Sequence, residues 1–149
     1  MDHAPCIIEM FDSILVPFDG SEHSKKALQV AIDIAKRYGS VIYVIEVVDE
    51  AVFYGSGVLP PLNAVKAMEK KAKDDIDNAL KEITNAGLKG VGEALEGDPA
   101  SVILDYVHKN GIKLIVMGSR GLSTMKRVLL GSVSTRVVQE SKVPVLVIK

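Results

Sequence analysis

Residues 113–149 read KLIVMGSRGLSTMKRVLLGSVSTRVVQESKVPVLVIK, and the order of patterns in this stretch decides the fold. Lys113–Met117 is an apolar run of strand length, and Val143–Ile148 is another. Between them lie a glycine-bearing segment and a helical pattern from about Ser132 to Ser141. A strand, a helix and a second strand in this order imply parallel pairing through a right-handed crossover. Toward the N-terminus the alternation repeats. Ser13–Pro17 is a strand ending at a proline, and Val41–Val48 is a strand rich in β-branched residues. Between them Ser21 and Ser24 offer N-caps, and Ala27, Ala31, Ile34 and Ala35 follow at helical spacing up to Gly39. Val65, Met68, Ala72, Ile76, Ala79, Leu80 and Ile83 form the cleanest apolar stripe, on a helix that ends at Gly87. Val91–Leu95 is a shorter strand. Gly97-Asp98-Pro99 then turns into a helix carrying Val102, Ile103, Tyr106 and Val107, which stops at Gly111.

Glycines close three of these helices, where a left-handed residue ends a helix without steric cost. The second, fourth and fifth strands are nearly continuous apolar runs, as expected when helices cover both faces of a sheet. The chain therefore reads as a single α/β domain. It is a doubly wound, five-stranded parallel sheet with helices on both faces, Rossmann-like, over residues 11–149. Residues 1–10 read as a short tail, and Asp49–Asn63, with Gly55, Gly57, Pro60 and Pro61, as a long loop.

Composition narrows the function. With 149 residues, 48% of them hydrophobic and 25% charged, the chain can bury a core without staples. The formal charge is −1, so no basic field exists to neutralise many phosphates, and nucleic acid is not the expected partner. With no Trp, four Tyr and three Phe, the chain also lacks base-stacking platforms. Cys6 is the single cysteine, which excludes an intrachain disulfide and a cysteine-based zinc site and agrees with a cytoplasmic setting. No apolar run reaches membrane-spanning length, and residues 1–11 carry Asp2 and Glu9 and no basic stretch of a secretory signal.

In doubly wound sheets, ligands sit beyond the carboxyl ends of the strands where the strand order reverses. After the fourth strand comes Gly118-Ser119-Arg120-Gly121, and after nine intervening residues Gly131-Ser132-Val133-Ser134 opens the last helix. Glycines let backbone N–H groups approach an anion, and the helix start adds free donors and partial positive charge. The Ser132 and Ser134 hydroxyls can donate to phosphate oxygens. A β-branched residue at Gly131 is expected to block that approach and to strain the backbone. Equally open from the residues alone is a plain turn followed by a capped helix.

Gly-x2-Gly-x9-Gly-Ser after a strand ending in Val-Met-Gly resembles the ATP-binding branch of the universal stress protein family. The opening Ile14-Leu15-Val16-Pro17-Phe18-Asp19-Gly20-Ser21 is similar to that family's, as are Glu46-Val47-Val48-Asp49, Gly97-Asp98-Pro99 and Val143-Pro144-Val145-Leu146-Val147. The likeness spans residues 11–149. It implies strand order 3-2-1-4-5. It implies that Pro17, Asp19 and Val47 meet the adenine and ribose. Gly118, Ser119, Gly121, Gly131, Ser132 and Val133 then cradle the phosphates, with Arg120 and Ser134 beside them. Lys126 and Arg127 lie near the cradle and read as solvated loop charges. The implied ligand is ATP, or ADP or AMP, with Mg held through the phosphates rather than by side chains. The resemblance also implies a homodimer through residues 143–148.

Other features carry less. Gly55-x-Gly57 and Gly90-x-Gly92 do not continue as dinucleotide fingerprints, and no P-loop motif occurs. His3, His23 and His108 read as scattered surface histidines. Asp74, Asp75 and Asp77 read as solvated charge on a polar helix face. A nucleotide-dependent regulatory switch with an unidentified protein partner is the leading expectation. A slow or partner-stimulated ATPase or phosphotransferase is the first alternative, although no base or metal constellation stands out. A binder of AMP, cyclic AMP or a flavin dinucleotide is the second.

Overall fold

The computed structural model describes residues 11–49, 62–121 and 130–149. Its elements are β1 (Ser13–Pro17), α1 (Glu22–Tyr38), β2 (Val41–Val48), α2 (Leu62–Asn85), β3 (Gly90–Glu96), α3 (Pro99–Asn110), β4 (Leu114–Gly118), α4 (Ser132–Glu140) and β5 (Val145–Ile148). The five strands form one sheet in the order β3-β2-β1-β4-β5, and every neighbouring pair is parallel. The expected Rossmann-like architecture is what the chain adopts.

Alternation along the strands sorts their side chains into two cores. Ile14, Val16, Ile42 and Val44 pack on one face against Leu28 of α1 and Ile83 of α2. Leu15, Ile45, Ile115 and Met117 pack on the other against Ile103 of α3 and Val137 of α4. The apolar side chains of the central strand are wholly withdrawn from water, since Ile14, Leu15 and Val16 are each 0% exposed. A strand that must be apolar on both faces cannot alternate, which is why ILV in β1 and LIVM in β4 read as continuous runs.

Helix ends follow local chemistry. Ser21 caps α1 by accepting the Ser24 N–H at 3.2 Å, and Asp98 caps α3 by accepting the Ser101 N–H at 3.1 Å. Gly39 and Gly111 close α1 and α3 in the left-handed region.

Several boundaries differ from expectation, and β4 runs Leu114–Gly118 rather than Lys113–Met117. α2 begins at Leu62, taking in two residues assigned to the loop, while residues 50–61 of that loop lie outside the described residues. β3 runs one residue further at each end, pairing with β2 from Ile42↔Gly90 to Val48↔Glu96. β5 begins at Val145 rather than Val143. The Ser141 hydroxyl donates to the Val143 carbonyl at 2.8 Å and accepts its N–H at 3.1 Å, which folds Val143 into a turn, and Pro144 has no N–H to offer a ladder.

Gly90-x-Gly92 has a packing role. A Cβ at Gly92 would stand 2.5 Å from Ile76 Cγ2 and 3.0 Å from Leu80 Cδ1, so α2 seats directly on the β3 backbone. Gly92→Val should therefore lower stability by about 1–3 kcal/mol through overpacking. The urea midpoint should fall with an unchanged m-value. An unaltered midpoint would show that α2 does not press on β3.

Candidate functional site

β1 and β4 are neighbours that part company. Their register pairs Ile14 with Leu114 and Leu15 with Ile115 and goes no further. β1 and β2 stay together to Pro17↔Ile45, and the Phe18 N–H then donates to the Ile45 carbonyl at 2.8 Å. Successive N–H groups of a strand point to opposite sides, so an N–H at residue 17 would face β4. Pro17 has none, and no ladder bond is lost where the strands diverge. A cavity of about 330 Å³ opens at this point, beyond the carboxyl ends of the strands.

One end of the cavity is apolar. Pro17, Ile45, Val47 and Met117 supply it from the sheet, and Pro99 and Ile103 from α3. Both Ile45 and Val47 point to the α3 and α4 face of the sheet. The other end carries Asp19, Arg120, Gly121, Gly131, Ser132 and Val133. A flat apolar ring and an anionic tail would each find a matching end.

Glycine makes the polar end possible by close approach. A Cβ at Gly118 would stand 2.7 Å from the His23 Cβ and 2.9 Å from its carbonyl carbon, so β4 meets the first turn of α1 almost backbone to backbone. A Cβ at Gly121 would stand 2.7 Å from Asp19 Oδ2. These two glycines bring the loop after β4 against the loop after β1. Asp19 Oδ1 accepts the Ser21 N–H at 2.9 Å, which fixes the carboxylate just before the helix that Ser21 caps. Arg120 Nη2 lies 3.1 Å from His23 Nε2, and since a guanidinium only donates, that imidazole nitrogen is the acceptor. His23 is thus half-buried and engaged in the site, not a stray surface histidine.

The start of α4 is fastened to the end of β4. The Gly131 N–H donates to the Ser119 carbonyl at 2.7 Å, and the Ser134 hydroxyl donates to the same carbonyl at 2.8 Å. The Ser119 N–H in turn donates to the Ile148 carbonyl at 2.8 Å. Ser119 is 1% exposed and stands behind the cavity wall. Ser119 and Ser134 therefore hold the cradle together, and the Ser134 hydroxyl is already engaged with backbone carbonyls. Gly131 adopts φ −73° and ψ 170°, extended backbone open to any residue, so a valine there meets no backbone strain, contrary to expectation. α4 has no side-chain cap, whereas α1 and α3 do. Arg136 braces α4 from outside, at 2.6 Å from Asp98 Oδ2 and 2.7 Å from Glu140 Oε2. Lys126 and Arg127 lie outside the described residues, as do His3, Cys6 and Gly55-x-Gly57.

On the opposite face of the sheet lies a polar cluster that sequence reasoning missed. Glu46 is 7% exposed, and its Oε1 has no hydrogen-bond partner among the described residues. Lys71 Nζ stands 3.4 Å from Glu46 Oε2 and 2.6 Å from Asp75 Oδ2. Burial, then a hydrogen bond to Asp75 and the Asp75 charge, push the Glu46 carboxyl up to about 8, against the pull of Lys71. Burial would raise Asp75 too, but Glu46 and Lys71 hold it below the ordinary carboxylate range. Asp75 is therefore paired rather than solvated. The available signal was the lone acid in VIYVIEVV. Among the described residues no His, Cys, Asp and Glu group could hold a metal, and no helix is long and apolar enough to cross a membrane.

The model of the universal stress protein family matches residues 10–149. The chain is 38% identical over 144 residues to universal stress protein MJ0531 of Methanocaldococcus jannaschii, covering 94% of this chain and 83% of that protein. The solved structure of the protein MJ0577 superposes with a TM-score of 0.80 at 29% identity, covering 94% of this chain and 96% of that one. A universal stress protein from Archaeoglobus fulgidus, solved in complex with dAMP, shares the fold with a TM-score of 0.70 at 23% identity, covering 94% and 99%.

The raised Glu46 has a consequence for stability. In the unfolded chain this carboxyl ionises near 4.5, and in the fold near 8. Between those values the folded state binds more protons, so stability falls as pH rises through the window. Glu46→Gln keeps the shape and removes that proton. Urea midpoints should show the variant gaining on the wild type from about pH 5 to 8 and holding a constant margin above. Parallel pH profiles would mean that Glu46 is ionised in the fold throughout.

Proposed function

The chain belongs to the universal stress protein family, and we propose that it is a member that binds an adenine nucleotide, ATP with Mg, as a cytoplasmic regulatory switch. The observation that carries this is the start of α4. Gly131 gives it no side-chain cap, unlike α1 and α3, and it opens on the polar end of the cavity. Its first-turn N–H groups need an acceptor, and a phosphate supplies one together with the negative charge the helix dipole favours. Ser132 can add a hydroxyl, and Arg120 a charge.

The nucleoside fits the rest of the cavity. A base would lie over Val47 and Met117, between the sheet and α3. Asp19 can accept from ribose hydroxyls or from the base. Mg would be held through phosphate oxygens and water, as this small ion often is. ADP and AMP would use the same cradle with fewer phosphate contacts. Occupancy would signal to a protein partner only if the nucleotide binds two conformations unequally.

A homodimer belongs to the same proposal. β5 is an edge strand with one neighbour, and Leu146 on it and Val138 on α4 are 40% and 43% exposed. Pairing of two such edges would cover both.

Mass spectrometry of ligand released from freshly purified protein should find an adenine nucleotide in the wild type and none in Gly131→Val, whose melting temperature should stay near the wild type's. Asp19→Ala should weaken ATP binding by calorimetry about 10- to 150-fold, the range for a lost hydrogen bond to a charged group. A wild type that neither carries nucleotide nor binds added ATP with Mg would end the proposal. Light scattering at micromolar concentration should give the mass of a dimer, and Leu146→Asp that of a monomer. A monomeric wild type would remove the dimer alone.

A further inference from the structure

Lys71 reaches from α2 across the sheet's edge to the turn that carries Asp19. Its Nζ donates to the Asp19 carbonyl at 2.9 Å, a bond between residues 52 positions apart. The ammonium is anchored from behind by Asp75 at 2.6 Å and Glu46 at 3.4 Å. Asp75 also presses on the next residue, since a Cβ at Gly20 would stand 3.2 Å from both of its carboxylate oxygens. Gly20 itself sits at φ +80°, a conformation that L side chains rarely adopt. The turn is thus gripped on the α2 side at two consecutive residues.

On the cavity side the same turn presents the Asp19 carboxylate, set by the Ser21 N–H and closely faced by Gly121. Lys71 does not line the cavity, and its anchors lie on the far face of the sheet. Its contact with the site is the bond to the Asp19 carbonyl. We propose that Lys71, braced by Asp75 and Glu46, is a positioning residue of the nucleotide site, holding the Asp19 turn in the conformation that presents the carboxylate to the ligand.

The proposal rests on the nucleotide-binding function above. Its chemistry is economical in charge. Lys71 adds one cation between two acids, so the tie is made by a neutralised group and not by a free charge near the ligand. The half-exposed side chain also makes truncation tolerable to the fold, since Lys71 is 49% exposed.

The test is a double-mutant cycle, with ATP and Mg as the probe. Lys71→Met should weaken ATP binding roughly 5- to 20-fold, while Lys71→Arg, which keeps a donor on a long stem, should recover most of the loss. In an Asp19→Ala background Lys71→Met should cost nothing further, because the group it positions is gone. Amide exchange in ligand-free protein gives a second readout. The Ser21 N–H, which bonds Asp19, should exchange about tenfold faster in Lys71→Met, with the β1 core amides unchanged. Asp75→Asn, which loosens the anchor while leaving Lys71, should show a smaller version of both effects. An equal loss from Lys71→Met with and without Asp19, or unaltered Ser21 exchange, would overturn the positioning role while leaving the nucleotide site standing. A wild type that binds no ATP would overturn both.

Discussion

Everything at this site depends on parallel pairing about a central β1. Each parallel neighbour requires a crossover, and the chain winds first toward β2 and β3, then toward β4 and β5. Helices consequently cover both faces, with α1 and α2 on one and α3 and α4 on the other. The strands carry their loops out at one end, and beyond Leu15 and Ile115 the two halves separate. The cavity is the space that separation leaves. On the β1 side it costs no ladder bond, because the residue whose N–H would face the gap is Pro17.

Glycines then decide how tightly that space is walled. Gly118 admits the first turn of α1, and Gly121 admits the Asp19 carboxylate. An alanine at Gly118 would push β4 and α1 apart, and one at Gly121 would displace the Asp19 carboxylate. The opposite wall is drawn in by hydrogen bonds instead. The Ser119 carbonyl collects the Gly131 N–H and the Ser134 hydroxyl, and the Ser119 N–H is fixed to the end of β5. Two residues suited by chemistry to bind an anion thus serve as struts. Among the described residues, no side chain caps the first turn of α4. An uncapped turn facing a cavity is a standing demand for an acceptor.

The far face of the sheet holds the compensating arrangement. Placing Glu46 in a buried strand costs desolvation, which raises its pKa and favours the neutral acid. Lys71 and Asp75 come from one face of α2, four residues apart, and meet it there. The cluster is attached to the backbone carbonyl of the same residue whose side chain enters the cavity. Polar groups on both sides of the sheet therefore converge on a single turn, residues 19–21, and fix it from both sides.

Periodicity and punctuation made the architecture legible in the sequence. Strands buried on two faces must be apolar throughout, amphipathic helices must carry a stripe, and glycine and proline mark the ends, so the doubly wound sheet follows from local rules. Asp19 and the two glycine pairs could be placed at strand ends and a helix start for the same reason, whereas the roles of Pro17 and Val47, both within strands, came from the family resemblance. Tertiary structure alone decided which of these residues touch. That Arg120 reaches His23, that Ser134 bonds the Ser119 carbonyl, and that Lys71 reaches Asp19 depend on residues 15 to 97 positions apart in the chain. No local pattern encodes such pairs. Asp75 resembles its solvated neighbours in sequence, and only the packing of α2 over Glu46 turns it inward, because a charge beside a buried carboxyl is a property of distance and burial rather than of residue order.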